Sequence, residues 1–389
     1  MTQTATPQKL TFSPQGAEVI LGRSIEPEQL VIPVAPSRID MFGPRGVYLK
    51  SETGPLWVSD TGHHRLLGWR SLPTRDSQPA DWVIGQPDFN HEGQNAKSTP
   101  GRSTLSVPTG ICAFGEGFAV ADAWNHRILI WKKLPEESNV PADLVLGQAD
   151  FIANEPNRGQ QEAAANTLNW CYGVFSDQGK LFVADTGNRR VLIWHQLPEE
   201  NGQKADLVLG QPDMRSRNEN NGGTPSASSM RWCHDITFWG DNLVVTDAGN
   251  NRVMIWSGIP RENNAPCAVV LGQKSFDAVE MNQGVYFPNA SSLSMPYGVA
   301  ANDDWLLVAD TANSRLLGWK KLESLSFLRE SQVLAGQIDF NRKGENRDFG
   351  LPTRDSLNWC YGIKICGKTA VIADSGNNRI LVWRFNHDD

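Results

Sequence analysis

Short apolar runs recur along the whole chain, and turns rich in Gly and Asn separate them. In the segment LFVADTGNRRVLIW, for example, two runs of aliphatic and aromatic residues flank the turn TGN. Branched and aromatic residues favour strands, and Gly and Asn supply the positive φ angles of a tight hairpin. No comparable stretch has helical periodicity, so the pattern predicts an all-β protein built from hairpins.

This hairpin is repeated six times at a spacing of about 63 residues. In each copy an Arg lies five residues after an Asp, and a Trp lies nine residues after the same Asp. The six copies are SDTGHHRLLGW, ADAWNHRILIW, ADTGNRRVLIW, TDAGNNRVMIW, ADTANSRLLGW and ADSGNNRILVW. A period of this length is typical of a repeat architecture.

Two further apolar runs complete each unit, one before the hairpin (YGVFS) and one after it (LVLGQ). Four short strands per repeat predict a six-bladed β-propeller of four-stranded antiparallel blades. The last copy lacks its fourth run, but Val19–Gly22 lies 63 residues before the corresponding run of the first copy. The N-terminal strand should therefore join the C-terminal blade and close the ring.

The predicted domain organisation is an N-terminal extension at 1–17 followed by one propeller at 18–385. The predicted blade cores lie near 45–85, 109–147, 172–210, 234–272, 297–336 and, for the closing blade, 361–385 with 18–22.

The D-x-x-N-x-R core of each hairpin resembles the NHL-repeat family of β-propellers, and in particular its bacterial members. The resemblance extends from about residue 18 to 385, and the turn Asn is present in five copies, whereas the first has His63. The family implies the propeller fold but no single function, because its architecture serves RNA binders, protein-binding scaffolds and a few enzymes.

The repeated Asp and Arg have a structural explanation, because six identical catalytic pairs would make no chemical sense. We expect the carboxylate to cap the turn amides and to pair with the guanidinium. The repeated Trp should pack between blades, and His63 should replace the turn Asn rather than bind metal.

Composition narrows the range of functions. The 389 residues carry a net charge of −7, so no overall positive field attracts nucleic acid or anionic lipid. No apolar run is long enough to span a membrane, and the N-terminal residues do not resemble a secretory signal. We therefore expect a cytoplasmic protein whose six cysteines are reduced.

The segments that link one blade to the next, 22–24 residues long and polar, should lie on one face of the propeller. They form either a binding surface or a filling between the blades. At their ends a ring of unlike side chains should surround the channel mouth. These residues are Arg45, Thr109, Tyr172, His234, Tyr297 and Tyr361, preceded in three blades by the pairs Trp170-Cys171, Trp232-Cys233 and Trp359-Cys360.

This ring allows three kinds of site. Cys171, Cys233 and His234 are the one plausible metal cluster, and because it lacks a fourth ligand we predict no metal and no cofactor. An enzyme would use His234 and Asp235, the residue that interrupts a glycine pattern. Single-stranded RNA is disfavoured because acids are interleaved with the basic link residues.

We favour a non-catalytic scaffold, monomeric by itself, that binds another protein through the link face. The predicted contact residues are Arg45, Tyr172, His234, Tyr297, Tyr361, Trp170, Trp232 and Trp359. Aromatic residues and Arg near the centre of a patch are typical of interface hot spots. The alternative for the three tryptophans is a plug buried beneath the links.

Overall fold

The computed structural model describes residues 10–23, 34–321 and 326–387, which form a six-bladed β-propeller. In each of the first five blades, four antiparallel strands lie side by side in chain order. The strands up to the end of blade 2 are β1 (Leu10–Phe12), β2 (Val19–Leu21), β3 (Val47–Leu49), β4 (Leu56–Asp60), β5 (Arg65–Trp69), β6 (Trp82–Ile84), β7 (Pro108–Phe114), β8 (Gly117–Asp122), β9 (Arg127–Trp131) and β10 (Leu144–Leu146).

Blades 3 to 5 repeat this arrangement, and blade 6 ends the chain. Blade 3 contains β11 (Cys171–Asp177), β12 (Lys180–Asp185), β13 (Arg190–Trp194) and β14 (Leu207–Leu209). Blade 4 contains β15 (Cys233–Trp239), β16 (Asn242–Asp247), β17 (Arg252–Trp256) and β18 (Val269–Leu271). Blade 5 contains β19 (Pro296–Ala301), β20 (Trp305–Asp310), β21 (Arg315–Lys320) and β22 (Val333–Ala335), and blade 6 contains β23 (Cys360–Cys366), β24 (Thr369–Asp374) and β25 (Arg379–His387).

The N-terminal strands close the ring by pairing with the last strand of the chain. β2 pairs antiparallel with β25, with Val19 opposite Val382, as the displaced sequence motif predicts. β1 also pairs with β25, although the sequence placed it in an extension outside the propeller. The propeller therefore begins before residue 18, and the blade-closing segment consists of two short strands.

In the residues that the structure describes, helices are confined to single turns. One 3-10 turn joins the second and third strands of each blade: Thr61–His63, Ala123–Asn125, Thr186–Asn188, Ala248–Asn250, Thr311–Asn313 and Ser375–Asn377. The links contain Gln94–Lys97, Pro156–Gly159, Glu219–Gly222, Met281–Gly284 and the α-helical turn α1 (Asn346–Phe349). None of the helices in the described part of the chain has the length and apolar character needed to cross a membrane.

The apolar core lies between the blades. Each of six clusters of buried side chains draws on two neighbouring blades, as where Ile130 of blade 2 and Leu192 of blade 3 share one cluster. The repeated Trp is buried in all six blades, as predicted. In blades 1 to 5 its indole N–H donates to a carbonyl of the following connection, for example from Trp131 to Val140 at 2.8 Å, and in blade 6 Trp383 donates to the Ser13 carbonyl of the N-terminal segment.

A buried ion pair holds each hairpin, but the carboxylate does not cap its own turn amides as the sequence suggested. In blade 3, Oδ2 of Asp185 accepts from Nε of Arg190 at 2.7 Å and from the turn amide side chain of Asn188 at 2.8 Å. Its Oδ1 accepts the backbone N–H of Asn169, in the link that leads into the blade. The repeated Asp therefore fixes the path of a link.

The repeated Arg also fixes the links. The Arg190 guanidinium donates to Ala164 and Thr167 in the link before its blade and to Met214 in the link after it. The equivalent donors in the other five blades are Arg65, Arg127, Arg252, Arg315 and Arg379, all of which bond to link carbonyls. Burial of these charges is compensated by hydrogen bonds, so the links are held firmly on the propeller.

A second Asn, which the sequence analysis missed, joins the links to the turns. The side-chain amides of Asn157 and Asn188 exchange two hydrogen bonds, at 3.0 and 2.8 Å. The same pairing joins Asn95 with Asn125, Asn220 with Asn250, Asn282 with Asn313, and Asn346 with Asn377. The signal was present as an Asn 30 or 31 residues before each turn Asn. In blade 1, His63 replaces the turn Asn as predicted, with Nδ1 2.8 Å from Asp60.

Candidate functional site

Five of the six residues predicted at the channel mouth form a closed ring of contacts. The Arg45 guanidinium lies 4.5 Å from the ring centroid of Tyr361 and 5.8 Å from that of Tyr172. Between the two tyrosines, ring centroids are 4.8 Å apart for Tyr172 and His234, 4.2 Å for His234 and Tyr297, and 4.5 Å for Tyr297 and Tyr361. We call these five residues the mouth ring.

Thr109 does not take part in the mouth ring. Its hydroxyl is buried and donates to the Tyr172 carbonyl at 2.8 Å. Thr109 therefore joins the inner strands of blades 2 and 3 and offers no group to the channel mouth.

The mouth ring separates two cavities that share its five side chains. Outside it, on the link face, the mouth cavity encloses about 920 Å³, including space open to solvent. Inside it, the channel cavity encloses about 770 Å³ on the same measure. The further residues lining the mouth cavity are Asn169, Trp170, Thr186, Gly187, Arg189 and Trp232. The packed rings thus form a partition between the link face and the channel.

Two of the three predicted tryptophans are at the surface of the mouth cavity. Trp170 is 51% exposed and Trp232 is 40% exposed, so these two do not form a buried plug. Trp359 is partly buried and does not line the mouth cavity. The exposed pair therefore lies on the side of the cavity formed by blades 3 and 4.

Burial and the neighbouring guanidinium keep the His234 imidazole neutral. Desolvation, followed by the positive charge of Arg45, lowers its pKa to about 3. The ring packs between Tyr172 and Tyr297, and Arg45 makes no ion pair with any described residue. At neutral pH the mouth ring therefore carries one positive charge, that of Arg45.

Asp235 lies below the mouth ring, in the channel, at a position where the other blades have glycine. Those glycines face the next inner strand closely, since a Cβ on Gly298 would come within 2.0 Å of the Tyr361 carbonyl oxygen. Asp235 instead accepts the N–H of Val299 at 3.0 Å and that of Ile236 at 2.9 Å. Burial raises the pKa of this carboxyl to about 7.

The structure does not pair His234 with Asp235, the two residues predicted for an enzyme. The His234 imidazole packs against the rings of Tyr172 and Tyr297. The Asp235 carboxylate accepts one backbone N–H from its own blade and one from blade 5. A general acid or base must lie within hydrogen-bond reach of the group it serves. Neither side chain has the other as a partner among the described residues.

The three residues considered as a metal cluster, Cys171, Cys233 and His234, do not converge either. The thiol of Cys171 donates to the Arg127 carbonyl at 3.3 Å, and that of Cys233 donates to the Arg190 carbonyl at 3.1 Å. Both thiols are fully buried between blades, whereas His234 faces the channel mouth. Within residues 10–23, 34–321 and 326–387, no three His, Cys, Asp or Glu side chains are placed to hold a metal ion.

Arg189, which was not predicted from the sequence, interrupts a hydrogen-bonding pattern around the mouth. The sequence suggested that the Gly and Asn of each turn have positive φ angles. Instead, the left-handed residue is the one that follows the turn Asn or, in blade 1, follows His63. In five blades its side chain accepts a backbone N–H from the next blade. The pairs are His64 with Val107, His126 with Trp170, Asn251 with Met295, Ser314 with Trp359, and Asn378 with Gly43.

The blade 3 position differs because Arg has donors and no acceptor. The N–H of Trp232 therefore bonds to Asp247 at 3.2 Å, and Trp232 lacks the positive φ of its five equivalents. The signal for Arg189 was a cation where the other copies have His, Asn or Ser. It was hidden because Arg189 occupies a variable position of the D-x-x-N-x-R core, between Asn188 and Arg190.

No family model matches this chain, and no curated protein matches it. A protein of unknown function from Bacteroides thetaiotaomicron VPI-5482 matches 97% of this chain and 76% of its own, with 11% identity and a TM-score of 0.50. An auxiliary nutrient binding protein from the same organism matches 97% of this chain and 77% of its own, with 11% identity and a TM-score of 0.52. Hydrazine synthase from Kuenenia stuttgartiensis matches over 94% and 100%, with 11% identity and a TM-score of 0.50. At this identity the matches show the fold alone.

Proposed function

We propose that this protein is a non-catalytic binding scaffold of the bacterial NHL-repeat type, acting in the cytoplasm, and that a segment of a partner protein docks on its link face. The observation that carries the proposal is the exposure of Trp170 and Trp232 beside the mouth cavity. Large aromatic side chains left half exposed on a rigid surface are characteristic of interface hot spots.

The construction of the link face supports this role. Buried guanidinium and amide groups hold each link at several carbonyls, so the surface is ordered before a partner arrives. A preordered surface loses less conformational entropy on association. The links therefore supply a polar rim, and the mouth ring supplies an aromatic centre.

The two competing functions have less support. Catalysis by His234 and Asp235 has less support because these two side chains share no hydrogen bond. RNA binding lacks a field of one sign, because rim cations pair with acids: Arg231 with Glu219 at 2.9 Å, and Arg347 with Asp355 at 2.7 Å. Without uncompensated charge, counterion release contributes little affinity.

The experiment is selection of a random peptide library on the full chain, followed by affinity measurement with the selected synthetic peptides. The double variant Trp170→Ala/Trp232→Ala should bind at least about tenfold more weakly than wild type. The matched control is Tyr286→Ala/Phe287→Ala, which removes two exposed aromatics from a link outside the mouth cavity. Failure to enrich any peptide, or equal affinity of wild type and the tryptophan variant, would contradict the proposal.

A further inference from the structure

We propose that the docking segment presents a carboxylate to the mouth cavity, where Arg45 and Arg189 bind it. The inference rests on the proposed function and specifies its ligand. It depends on two guanidinium groups that line one cavity and have no anionic partner in the described parts of the chain.

Arg45 is held in place without being neutralised. Its guanidinium lies over the faces of Tyr361 and Tyr172 and has neither an ion pair nor a side-chain hydrogen bond to a described residue. Stacking of a guanidinium on aromatic faces fixes its plane and leaves its N–H donors available at the edges. Those donors are suited to bidentate binding of a carboxylate.

Arg189 is also incompletely satisfied. Its Nη1 donates to the Gly187 carbonyl, but its buried Nε has no hydrogen-bond partner among the described residues. Leaving a buried charged donor unpaired costs free energy. Arg189 also forfeits the inter-blade hydrogen bond that His, Asn or Ser makes in the other five blades. An Arg at this position of the mouth cavity therefore lowers stability in the free protein, and a ligand carboxylate that pairs with Arg189 accounts for its presence.

The charges that line the mouth cavity favour an anion. The residues lining the mouth cavity include no Asp or Glu in the described chain, although the protein as a whole carries a net charge of −7. The net negative charge of the protein opposes an acidic partner in general, whereas the two guanidinium groups attract it at this cavity, and such complementarity gives specificity. Two cations suit a single carboxylate better than a chain of phosphates, which needs a continuous basic groove.

The neighbouring side chains specify what accompanies the carboxylate. Trp170, Trp232 and Tyr172 present aromatic surface to the same cavity. A segment with Asp, Glu or a C-terminal carboxylate next to an aromatic or aliphatic side chain would satisfy the guanidinium groups and cover these rings together.

Arg189→Asn tests the inference with little risk to the fold, because Asn251 and Asn378 occupy the equivalent position in blades 4 and 6. The matched control, Arg342→Asn, removes the same charge from an exposed link residue outside the mouth cavity. Peptides selected on wild type are synthesised with their carboxylates intact or replaced: Asp by Asn, Glu by Gln, and the C-terminus by its amide.

Replacing the critical carboxylate should weaken binding to wild type and to Arg342→Asn about tenfold or more. The same replacement should weaken binding to Arg189→Asn less than about threefold, because the partner charge is already gone. The separate C-terminal and side-chain replacements identify which carboxylate enters the cavity.

Equal losses in Arg189→Asn and wild type, or selected peptides that lack any required carboxylate, would overturn the inference. The proposed function would then stand if Trp170→Ala/Trp232→Ala still weakened binding at least about tenfold. Tight binding of a single-stranded RNA 10-mer that Arg189→Asn abolishes would overturn the inference in favour of nucleic acid. A selection that yields no peptide dependent on the two tryptophans would remove both proposals.

Discussion

The backbone N–H of Trp170 donates to Nδ1 of His126, 2.9 Å away across the boundary between blades 2 and 3. The imidazole accepts this bond only when Nδ1 is unprotonated, and burial lowers the pKa of His126 to about 4. The bond holds Trp170 in a left-handed conformation, with φ of 48°, at the edge of the mouth cavity. A buried acceptor in one blade therefore sets the position of a contact residue in the next.

The first prediction is that His126→Asn is tolerated and His126→Arg is not. Asn accepts the same N–H in blades 4 and 6, whereas Arg has no acceptor. We expect His126→Arg to lower the free energy of unfolding by about 1–3 kcal/mol, since the Trp170 N–H loses the His126 acceptor and a longer, charged side chain replaces a buried neutral imidazole. Urea denaturation at pH 7 measures the difference, and equal losses in both variants would show that the acceptor is not what matters.

The contribution of His126 to stability also depends on pH in a defined direction. The unfolded chain binds a proton at His126 near pH 6.5, and the folded chain does so only near pH 4. The contribution of this group to stability is thus complete above pH 6.5 and decreases as the pH falls toward 4. His126→Asn should flatten this part of the stability profile.

The second prediction concerns closure of the ring. Deleting residues 1–24 removes both strands that pair with β25 and uncovers Trp383, which Phe12 contacts at 5.0 Å between ring centroids. We expect the thermal midpoint to fall by on the order of 10 °C, or the protein to aggregate through the exposed edge. Deleting residues 1–9 alone leaves both strands and serves as the control. An unchanged midpoint for the longer deletion would refute closure by the N-terminal segment.

The third prediction is that all six thiols are free but slow to react in the native protein. Burial raises the pKa of Cys171, Cys233 and Cys360 well above the ordinary value, so the nucleophilic thiolate is scarce. A thiol reagent without reductant should find six groups in denatured protein and at most Cys366, the least buried, reacting rapidly in native protein. Fewer than six thiols after denaturation would reveal a disulfide or other modification.

The repeat predicted the fold because every blade contains the same pattern of strand-forming and turn residues. Six copies of one Asp, Arg and Trp pattern identify the hairpin strands, and the displaced Val19–Gly22 motif identifies the closing strand. β1 was missed because it has no counterpart in the other blades. The links were treated as loops because their order comes from buried hydrogen bonds, which have no apolar periodicity.

The candidate site was predicted less completely for a related reason. The repeat assigns positions to the channel mouth, and this located Tyr172, His234 and Tyr297. It does not predict the direction in which each side chain points. Thr109 turns toward a carbonyl, and Trp359 is drawn away from the cavity that Trp170 and Trp232 line. Such differences depend on contacts between blades, which the sequence of one blade does not encode.

The last prediction separates the two titrating groups beside the channel through their opposite effects on stability. Burial raises the pKa of Asp235 from 3.8 to about 7, so the folded state holds this proton more tightly and loses stability as the pH rises through that window. His234 has a lowered pKa, about 3 against 6.5, so its contribution grows as the pH rises. Asp235→Asn should therefore make stability increase more steeply between pH 4 and 7, and His234→Phe should make the increase shallower. Denaturant midpoints at each pH measure both slopes relative to wild type. Parallel profiles for Asp235→Asn and wild type would mean that the carboxyl is ionised in the folded protein throughout this range.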